Sequence, residues 1–217
     1  QATSQFVLPQ RSKMPSYKLT YFNFMARAET ARMLFAKAGV AYEDHRIQFD
    51  EWGAMKDTMP YGSLPVLTVD GQQIAQSDAI NSFLAKRFGL HGKTAVDEAI
   101  VNSICFAIEE VNANLAKVHS SKDEAEKAAL KKSLAEEKYP NLLKFLTRIF
   151  EKNGTGFFVG EEMTLADIYF SGAMSGPQRF GVDLDLSKFP KLEELKNKVE
   201  SDPRIAHWIK TRPVTPM

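Results

Sequence analysis

The stretch from Gly62 to Asp78 places a free strand backbone next to the start of a helix. Leu64 precedes Pro65, which has no N–H to donate to a strand ladder, so we expect the backbone groups of Leu64 to stay free for a ligand. Ser77 and Asp78 begin a segment with helical apolar spacing, and the free N–H groups and dipole of a helix N-terminus favour an anion. The sequence therefore predicts a binding site for a small peptide with a terminal carboxylate.

A β-hairpin is expected to hold these two groups together. Val66–Val69 and Gln73–Ala75 are short β-forming runs on either side of Asp70-Gly71. An Asp-Gly pair favours a type I′ turn, because both central residues of that turn need positive φ. The helix that follows has apolar residues at helical spacing, namely Ile80, Phe83, Leu84 and Phe88.

The residues before the hairpin alternate between strand and helix signals. We predict a first strand at Tyr17–Phe22, an Ala-rich helix at Ala26–Ala38 that ends at Gly39, and a second strand at Ala41–Ile47. Residues 48–61 are irregular, with one weak helical turn near Trp52.

After the glycines of residues 89–92 no strand signal recurs, so the second half is expected to be all-helical. Helical periodicity extends over Val96–Val118. Two capping boxes, Ser121-x-x-Glu124 and Thr164-x-x-Asp167, predict further helix starts, and Pro140 predicts a kink. Later helices are expected at Phe189–Val199 and after Asp202-Pro203.

Composition excludes several classes of partner. The 217 residues are 44% hydrophobic and 25% charged, as is typical of globular proteins. The formal net charge is +1 without a long block of like charge, which argues against nucleic-acid binding. No apolar run approaches the ~18 residues that a membrane span needs, so no membrane partner is expected.

Cys105 is the single cysteine, so no intrachain disulfide can form and a cytoplasmic location is predicted. Its apolar sequence neighbours indicate a core residue rather than a nucleophile, so a reactive thiol must come from a ligand. No metal site is predicted. Residues 1–13 lack the features of a secretory signal, and we interpret them as a natural extension or a cloning remnant ahead of Met14.

The order strand–helix–strand, X-Pro–strand–turn–strand and Gln-Ser–helix resembles the thioredoxin-like half of a glutathione transferase. The segments M-P-S-Y-K-L-T-Y-F-N and A-R-A-E resemble the sigma class in particular, which includes glutathione-dependent prostaglandin D synthases and cephalopod lens S-crystallins. The resemblance covers residues 14–213. It implies an α/β thioredoxin-like glutathione-binding domain at 14–90, a linker at 91–94 and an all-α domain at 95–217 that carries the electrophile site.

The resemblance implies glutathione as co-substrate and gives the residues of the first domain their roles. Tyr21 is implied as the hydroxyl that points at the thiol, and Arg27 as a stabiliser of the thiolate charge. Ser77 fits the γ-glutamyl carboxylate and Gln76 adds an amide hydrogen bond. The Leu64 backbone is implied to pair with the cysteinyl backbone, and the peptide bond to the following proline is cis in this family. Two further donors, Trp52 and Lys56, suit the glycine carboxylate.

The electrophile pocket is expected between the domains, over the catalytic tyrosine. Its candidate walls are apolar or aromatic, and core packing is the alternative role for each: Phe22, Phe24, Met25, Phe106 and Tyr169. Lys117 falls near a position where the prostaglandin synthases carry a large aromatic wall, which weakens a prostaglandin function.

An acidic pair, Glu109 and Glu110, lies in the first helix of the second half. In sigma-class relatives an acidic side chain here reaches the γ-glutamyl amine bound by the other subunit, which implies a homodimer and favours Glu110, then Glu109. The family usually carries aspartates here, and a solvated helix face is the alternative.

The sequence thus predicts a cytoplasmic, homodimeric sigma-class glutathione transferase that serves detoxification. It would conjugate the glutathione thiolate to hydrophobic electrophiles. Two alternatives stay open: a lens S-crystallin-like structural protein with weak activity, and a glutathione-dependent isomerase that converts prostaglandin H2 to D2.

Overall fold

A four-stranded sheet forms the first half of the protein, in a computed structural model that describes residues 15–215. The predicted extension 1–13 and the start at Met14 lie outside the described residues. The strand order is β2-β1-β3-β4, with β1 parallel to β2 and antiparallel to β3, and β3 antiparallel to β4. The strands are β1 (Tyr17–Phe22), β2 (Glu43–Ile47), β3 (Val66–Val69) and β4 (Gln72–Ala75).

The hairpin between β3 and β4 is confirmed. Asp70 has φ 48° and Gly71 has φ 87°, as a turn with two positive φ angles requires. The Asp70 carboxylate also accepts hydrogen bonds from the backbone N–H of Ser16 at 2.9 Å and from its hydroxyl at 3.1 Å. The turn is thereby joined to the residue just before β1.

Three helices accompany the sheet. They are α1 (Glu29–Ala38), α2 (Phe49–Met55) and α3 (Ser77–Arg87). The predicted first helix begins as a 3₁₀ turn at Ala26–Ala28, and its predicted end is confirmed, because Gly39 adopts the left-handed conformation with φ 67°. Helix α1 packs against α3 on one side and against the helical half on the other.

Within the described part of the chain, all regular secondary structure after residue 94 is helical. No helix there or earlier in residues 15–215 is long and apolar enough to cross a membrane. The predicted boundaries at residues 90 and 95 stay a prediction. The helices are α4 (Ala95–Ser120), α5 (Glu124–Ser133), α6 (Tyr139–Asn153), α7 (Leu165–Met174), α8 (Pro190–Glu200) and α9 (Pro203–Thr211).

Two predicted details differ in α5 and α6. The capping box at Ser121 is wrong, because Asp123 is the N-cap and accepts hydrogen bonds from the N–H groups of Ala125 at 2.8 Å and Glu126 at 3.3 Å. Asp123 lies two residues after Ser121, and from there its carboxylate reaches the free N–H groups of the first helical turn. The expected kink at Pro140 takes the form of a π-helical turn at 134–138, whose wider spacing accommodates the missing proline N–H.

The capping box at the start of α7 is confirmed, and it is buried. The Asp167 side chain is fully buried and accepts hydrogen bonds from the Thr164 N–H at 2.7 Å and hydroxyl at 2.9 Å. It also accepts the N–H of Phe158 at 2.9 Å, which lies in the loop before the helix. One carboxylate therefore satisfies the helix start and fixes the preceding loop.

We predict that Asp167→Ala lowers the free energy of unfolding by about 2–4 kcal/mol, because it leaves buried donors unpaired. The matched control is Asp97→Ala, which removes the exposed capping box that Asp97 forms with Thr94 at the start of α4 and should cost about 1 kcal/mol. The measurement is urea unfolding of both variants. Equal losses would show that burial adds nothing at Asp167.

Candidate active site

The strand register brings the predicted glutathione-binding residues to one edge of the sheet. Thr20 pairs with Val66, and Val66 pairs with Ala75. Because β1 and β4 end where β3 begins, Tyr21, the backbone of Leu64 and the start of α3 must lie at the same edge. The Leu64-Pro65 peptide bond is cis, as the resemblance implied.

A cavity of about 400 Å³ lies between this edge and helices α4 and α7. Its lining includes the predicted catalytic residues Tyr21 and Arg27 together with Ser77. Three predicted electrophile walls also line it, namely Phe24, Met25 and Tyr169. The structure thus places the predicted catalytic residues in the same cavity as three of the five predicted wall residues.

The Tyr21 hydroxyl is suited to keep its proton and to donate a hydrogen bond. The side chain is 5% exposed, and burial raises the pKa of Tyr21 above its ordinary value. A hydrogen bond from the backbone N–H of Arg27 and the Arg27 charge lower that pKa in part. The phenol therefore stays protonated at neutral pH and can donate its hydrogen bond to a sulfur anion.

An ion pair connects the two halves beside Tyr21, and a hydroxyl of the helical half supports it. The Arg27 guanidinium lies 2.8 Å from the Glu109 carboxylate, and the Tyr169 hydroxyl donates to the same carboxylate at 3.0 Å. Burial raises the pKa of Glu109, whereas Arg27 and the Tyr169 hydroxyl lower it. Glu109 thereby holds the Arg27 guanidinium near the Tyr21 hydroxyl.

Glu110 has a different environment from Glu109. Its side chain is exposed, and no ion pair or hydrogen bond of its carboxylate is found within residues 15–215. Of the acidic pair, Glu110 is therefore the member free to reach another subunit, while Glu109 is bound within its own chain. The cross-subunit contact itself stays a prediction.

The anion site at the start of α3 is compact. Ser77 is buried at the first residue of the helix, and Gln76 precedes it with φ 72° in the left-handed region. Backbone strain of this kind is found at ligand sites, where the surrounding structure must hold it. Ser77 needs no ligand to act as a helix start, so its glutathione contact stays a prediction.

The two predicted donors for the glycine carboxylate lie on the segment after β2. Trp52 packs edge-on against Phe22, with ring centroids 5.7 Å apart, and the Lys56 side chain lies next to Gly62. Helix α2, which carries Trp52, has no fully buried residue. Both side chains lie outside the lining of the apolar cavity, and their roles stay predictions.

Two predicted wall residues are wrong. Phe22 lies behind the wall, since its ring stacks on Phe24 at 5.5 Å and on Phe49 at 4.8 Å. Phe106 is 55% exposed and does not line the cavity. The first residue of α4 that lines the cavity is Glu109, and Phe106 lies one turn before it. Because helical side chains tilt toward the N-terminus, the Phe106 ring points away from the cavity.

Sequence reasoning missed several lining residues. Phe49 is 67% exposed and covers the sheet side of the cavity. Arg179 and His119 line it from the helical half. The small residues of G-A-M-S-G at 172–176 are a sequence signal of open space that could have located this wall, since all four of them line the cavity.

Cys105 does not enter this chemistry. It is buried in the core, and burial raises the pKa of its thiol, so it stays protonated at neutral pH. A reactive thiolate at Tyr21 must come from a ligand.

Asp78 is a half-buried carboxylate whose Oδ1 has no hydrogen-bond partner among residues 15–215. Burial raises its pKa, whereas Arg27 and the Tyr169 hydroxyl lower it. The single Tyr169 proton therefore faces two carboxylates, those of Asp78 and Glu109.

We predict that Asp78→Asn raises Tm at pH 7 by about 1–3 °C, a modest gain because solvent screens the charge. The pKa of Asp78 is higher in the folded state than its unfolded value of about 4. Wild type therefore loses stability relative to the variant as the pH rises from the unfolded pKa through the folded pKa. The gain should vanish at lower pH, where the carboxyl is protonated. Calorimetry across pH tests this, with the exposed Asp183→Asn as control; a pH-independent difference would contradict it.

Family models match most of the chain. The model for the glutathione S-transferase N-terminal domain matches residues 17–86, and the model for the C-terminal domain matches residues 109–212. Among solved structures, prostaglandin synthase D of Nilaparvata lugens is 32% identical with a TM-score of 0.85, covering 92% of this chain and 100% of that one. The monomeric glutathione S-transferase Na-GST-3 of the hookworm Necator americanus is 34% identical with a TM-score of 0.84, at 93% and 100% coverage.

Relatives of known name align over nearly their whole length. Hematopoietic prostaglandin D synthase of Gallus gallus is 41% identical over 203 residues, which cover 93% of this chain and 99% of the relative. Probable glutathione S-transferase 5 of Caenorhabditis elegans is 39% identical over 210 residues, at 94% and 100% coverage. S-crystallin SL11 of Nototodarus sloanii is 38% identical over 202 residues, at 92% and 98% coverage. The chain therefore belongs to the glutathione S-transferase family, and these relatives fit its sigma class.

Proposed function

We propose that this protein is a glutathione transferase that conjugates the glutathione thiolate to electrophilic small molecules. The observation that carries the proposal is the Tyr21 hydroxyl, buried and protonated, at the edge of an apolar cavity that also includes Ser77 at a helix start. An anion site, a hydrogen-bond donor for sulfur and an apolar space thus adjoin one another.

Tyr21 acts on the ionisation of the thiol. A free thiol with pKa ~8.5 is only a few per cent ionised at pH 7. A hydrogen bond to a charged acceptor contributes about 1.5–3 kcal/mol, which corresponds to roughly 1–2 pKa units. The thiolate forms a carbon–sulfur bond with the electrophile, and a halide leaves or, with an enone, the adjacent carbon takes up a proton.

Positioning contributes the larger share of the rate. A lower thiol pKa also lowers the nucleophilicity of the sulfur, with a Brønsted slope of ~0.4–0.5, so the net gain from ionisation is a few-fold. Holding sulfur and electrophile together supplies more. We assign this holding to Ser77 and Gln76 for the γ-glutamyl end, to the Leu64 backbone for the cysteine, and to Trp52 and Lys56 for the glycine carboxylate.

We also propose a homodimer in the cytoplasm, in which Glu110 of one subunit reaches the γ-glutamyl amine bound by the other. The Glu110 carboxylate, which is exposed and unpaired within the described part of the chain, supports this contact. The monomeric relative from Necator americanus means that family membership alone does not fix the assembly.

A structural role like that of the S-crystallin relative is a second candidate. The full set of Tyr21, Arg27 and Ser77 in one cavity favours the enzyme.

Isomerisation of a prostaglandin endoperoxide is a third candidate, supported by the 41% identity to a prostaglandin D synthase. The resemblance implies a large aromatic wall near this position in the prostaglandin synthases. Here the position holds Lys117, which is exposed and lies outside the cavity lining, and this difference weakens the isomerase candidate.

Turnover of 1-chloro-2,4-dinitrobenzene with glutathione tests the proposal directly. The transferase predicts conjugation that saturates in both substrates, whereas an inert structural protein predicts none above the uncatalysed rate. Prostaglandin H2 given to the same preparation separates the transferase from the isomerase, which would release prostaglandin D2.

Tyr21→Phe keeps the ring and removes the donor. We predict that it leaves glutathione affinity within a few-fold of wild type and raises the pH–rate midpoint by about one to two units, with activity partly recovered at high pH. The readout is the ultraviolet thiolate band of bound glutathione, titrated in both proteins. Identical midpoints would remove Tyr21 from its catalytic role.

Light scattering at micromolar concentration should give twice the chain mass, and Glu110→Gln should raise the KM for glutathione by about 3- to 10-fold without dissociating the dimer. The control is Glu126→Gln, the same change at an exposed position on α5. A monomeric wild type, or an unchanged KM in Glu110→Gln, would rule out the cross-subunit contact.

A further inference from the structure

We propose that the preferred electrophile carries a carboxylate on an apolar chain, and that Arg179 binds this carboxylate at the helical end of the cavity. The inference rests on the proposed transferase function and specifies its second substrate. It assigns Arg179 as the residue that determines specificity, a role separate from the chemistry at Tyr21.

The charges that line the cavity are balanced except at Arg179. Arg27 is paired with Glu109 at 2.8 Å. The Glu29 carboxylate accepts hydrogen bonds from Arg212 and Trp208, each at 2.8 Å. Within the described residues, no carboxylate lies within ion-pair distance of the Arg179 guanidinium.

Arg179 is an exposed side chain that lines the cavity. It lies in the 3₁₀ turn Pro177–Phe180 after α7, and its Nη2 donates to the Met25 sulfur at 3.5 Å. A thioether is a weak acceptor, so this contact orients the guanidinium while most of its five N–H donors stay available. Such a planar fork matches a carboxylate in a bidentate pair.

The groups around Arg179 favour a negatively charged ligand. Burial and the nearby Arg212 lower the pKa of Arg179, while Glu29 raises it. His119 lies on the same side, with its ring edge-on to Phe180 at 6.1 Å, and it lines the cavity as a further hydrogen-bonding group. An anion placed here would face two basic side chains and no unpaired carboxylate.

The wall between the two ends is apolar. Small and aliphatic side chains from α4 and α7 line it together with aromatic rings from the sheet side: Phe24, Phe49, Ala113, Leu115, Ala116 and Ala173. A hydrocarbon chain that crosses this wall buries apolar surface, at roughly 25 cal/mol per Å². The ligand class is therefore an electrophile with an alkyl or aryl body and a terminal carboxylate.

The test uses matched product analogues, which need no turnover. S-hexylglutathione and S-(5-carboxypentyl)glutathione share the glutathione part and the chain length and differ in the terminal carboxylate; butyl and octyl pairs cover the reach to Arg179. Calorimetry should show that Arg179→Gln weakens the carboxylate ligand by about 10-fold more than its alkyl partner at the best length. Added salt should reduce that difference.

Two variants serve as controls. Arg179→Lys keeps the charge and loses the fork, so its effect should be intermediate. Arg148→Gln makes the same change on the outer face of α6, where Arg148 lies over Phe145 and away from the cavity, and should leave the affinity ratio of each pair unchanged.

The outcomes separate this inference from the proposed function. If the wild type binds the S-alkylglutathiones and conjugates 1-chloro-2,4-dinitrobenzene, but Arg179→Gln shifts both members of every pair equally, the carboxylate site is wrong and the transferase stands. If the wild type neither binds S-hexylglutathione nor conjugates the chloronitrobenzene, the proposed function fails and the carboxylate site fails with it.

Discussion

The buried carboxylate of Glu29 is the constraint on which the two halves of this protein depend. It lies at the start of α1 and is bound by Trp208 and Arg212, at the opposite end of the chain, and by Arg32, one turn further along α1. Removing one partner of a buried ion network typically costs ~3–5 kcal/mol, because a charge is left unpaired. The fully buried Arg32 also donates to the Phe24 carbonyl at 2.9 Å, so the loop after Tyr21 rests on the same network.

The active site depends on this junction, because neither half contains it alone. Tyr21 and Ser77 come from the sheet half, whereas Glu109 and Tyr169, which hold Arg27 in place, come from the helical half. The segment with Trp52 and Lys56 lies outside the junction and has no fully buried residue. Local opening costs least where few contacts are buried, so this end of the proposed glutathione site is the part that we expect a ligand to order most readily.

Local chemistry made much of the fold predictable. The Asp70-Gly71 turn, the end of α1 at Gly39 and the cap at Asp202 each follow from the backbone needs of one or two residues. The error at Ser121 arose because two capping side chains lie two residues apart, and only geometry decides which one meets the orphan donors. The Arg27–Glu109 pair and the place of Phe106 depend on how α4 is aligned along the sheet, which no local pattern encodes.

The distribution of charge along the cavity explains how one scaffold can keep its chemistry while its substrates change. At the Tyr21 end, the charged lining residues Arg27, Glu29 and Glu109 belong to contacts that also join the two halves, so a substitution of any of them alters the stability of this junction. At the helical end, Arg179 and His119 are exposed; Arg179 donates to the Met25 sulfur, and the His119 ring lies edge-on to Phe180. Surface substitutions of this kind usually change stability by less than ~0.5 kcal/mol. Substrate choice can therefore change at that end without disturbing Tyr21 or the junction that positions it.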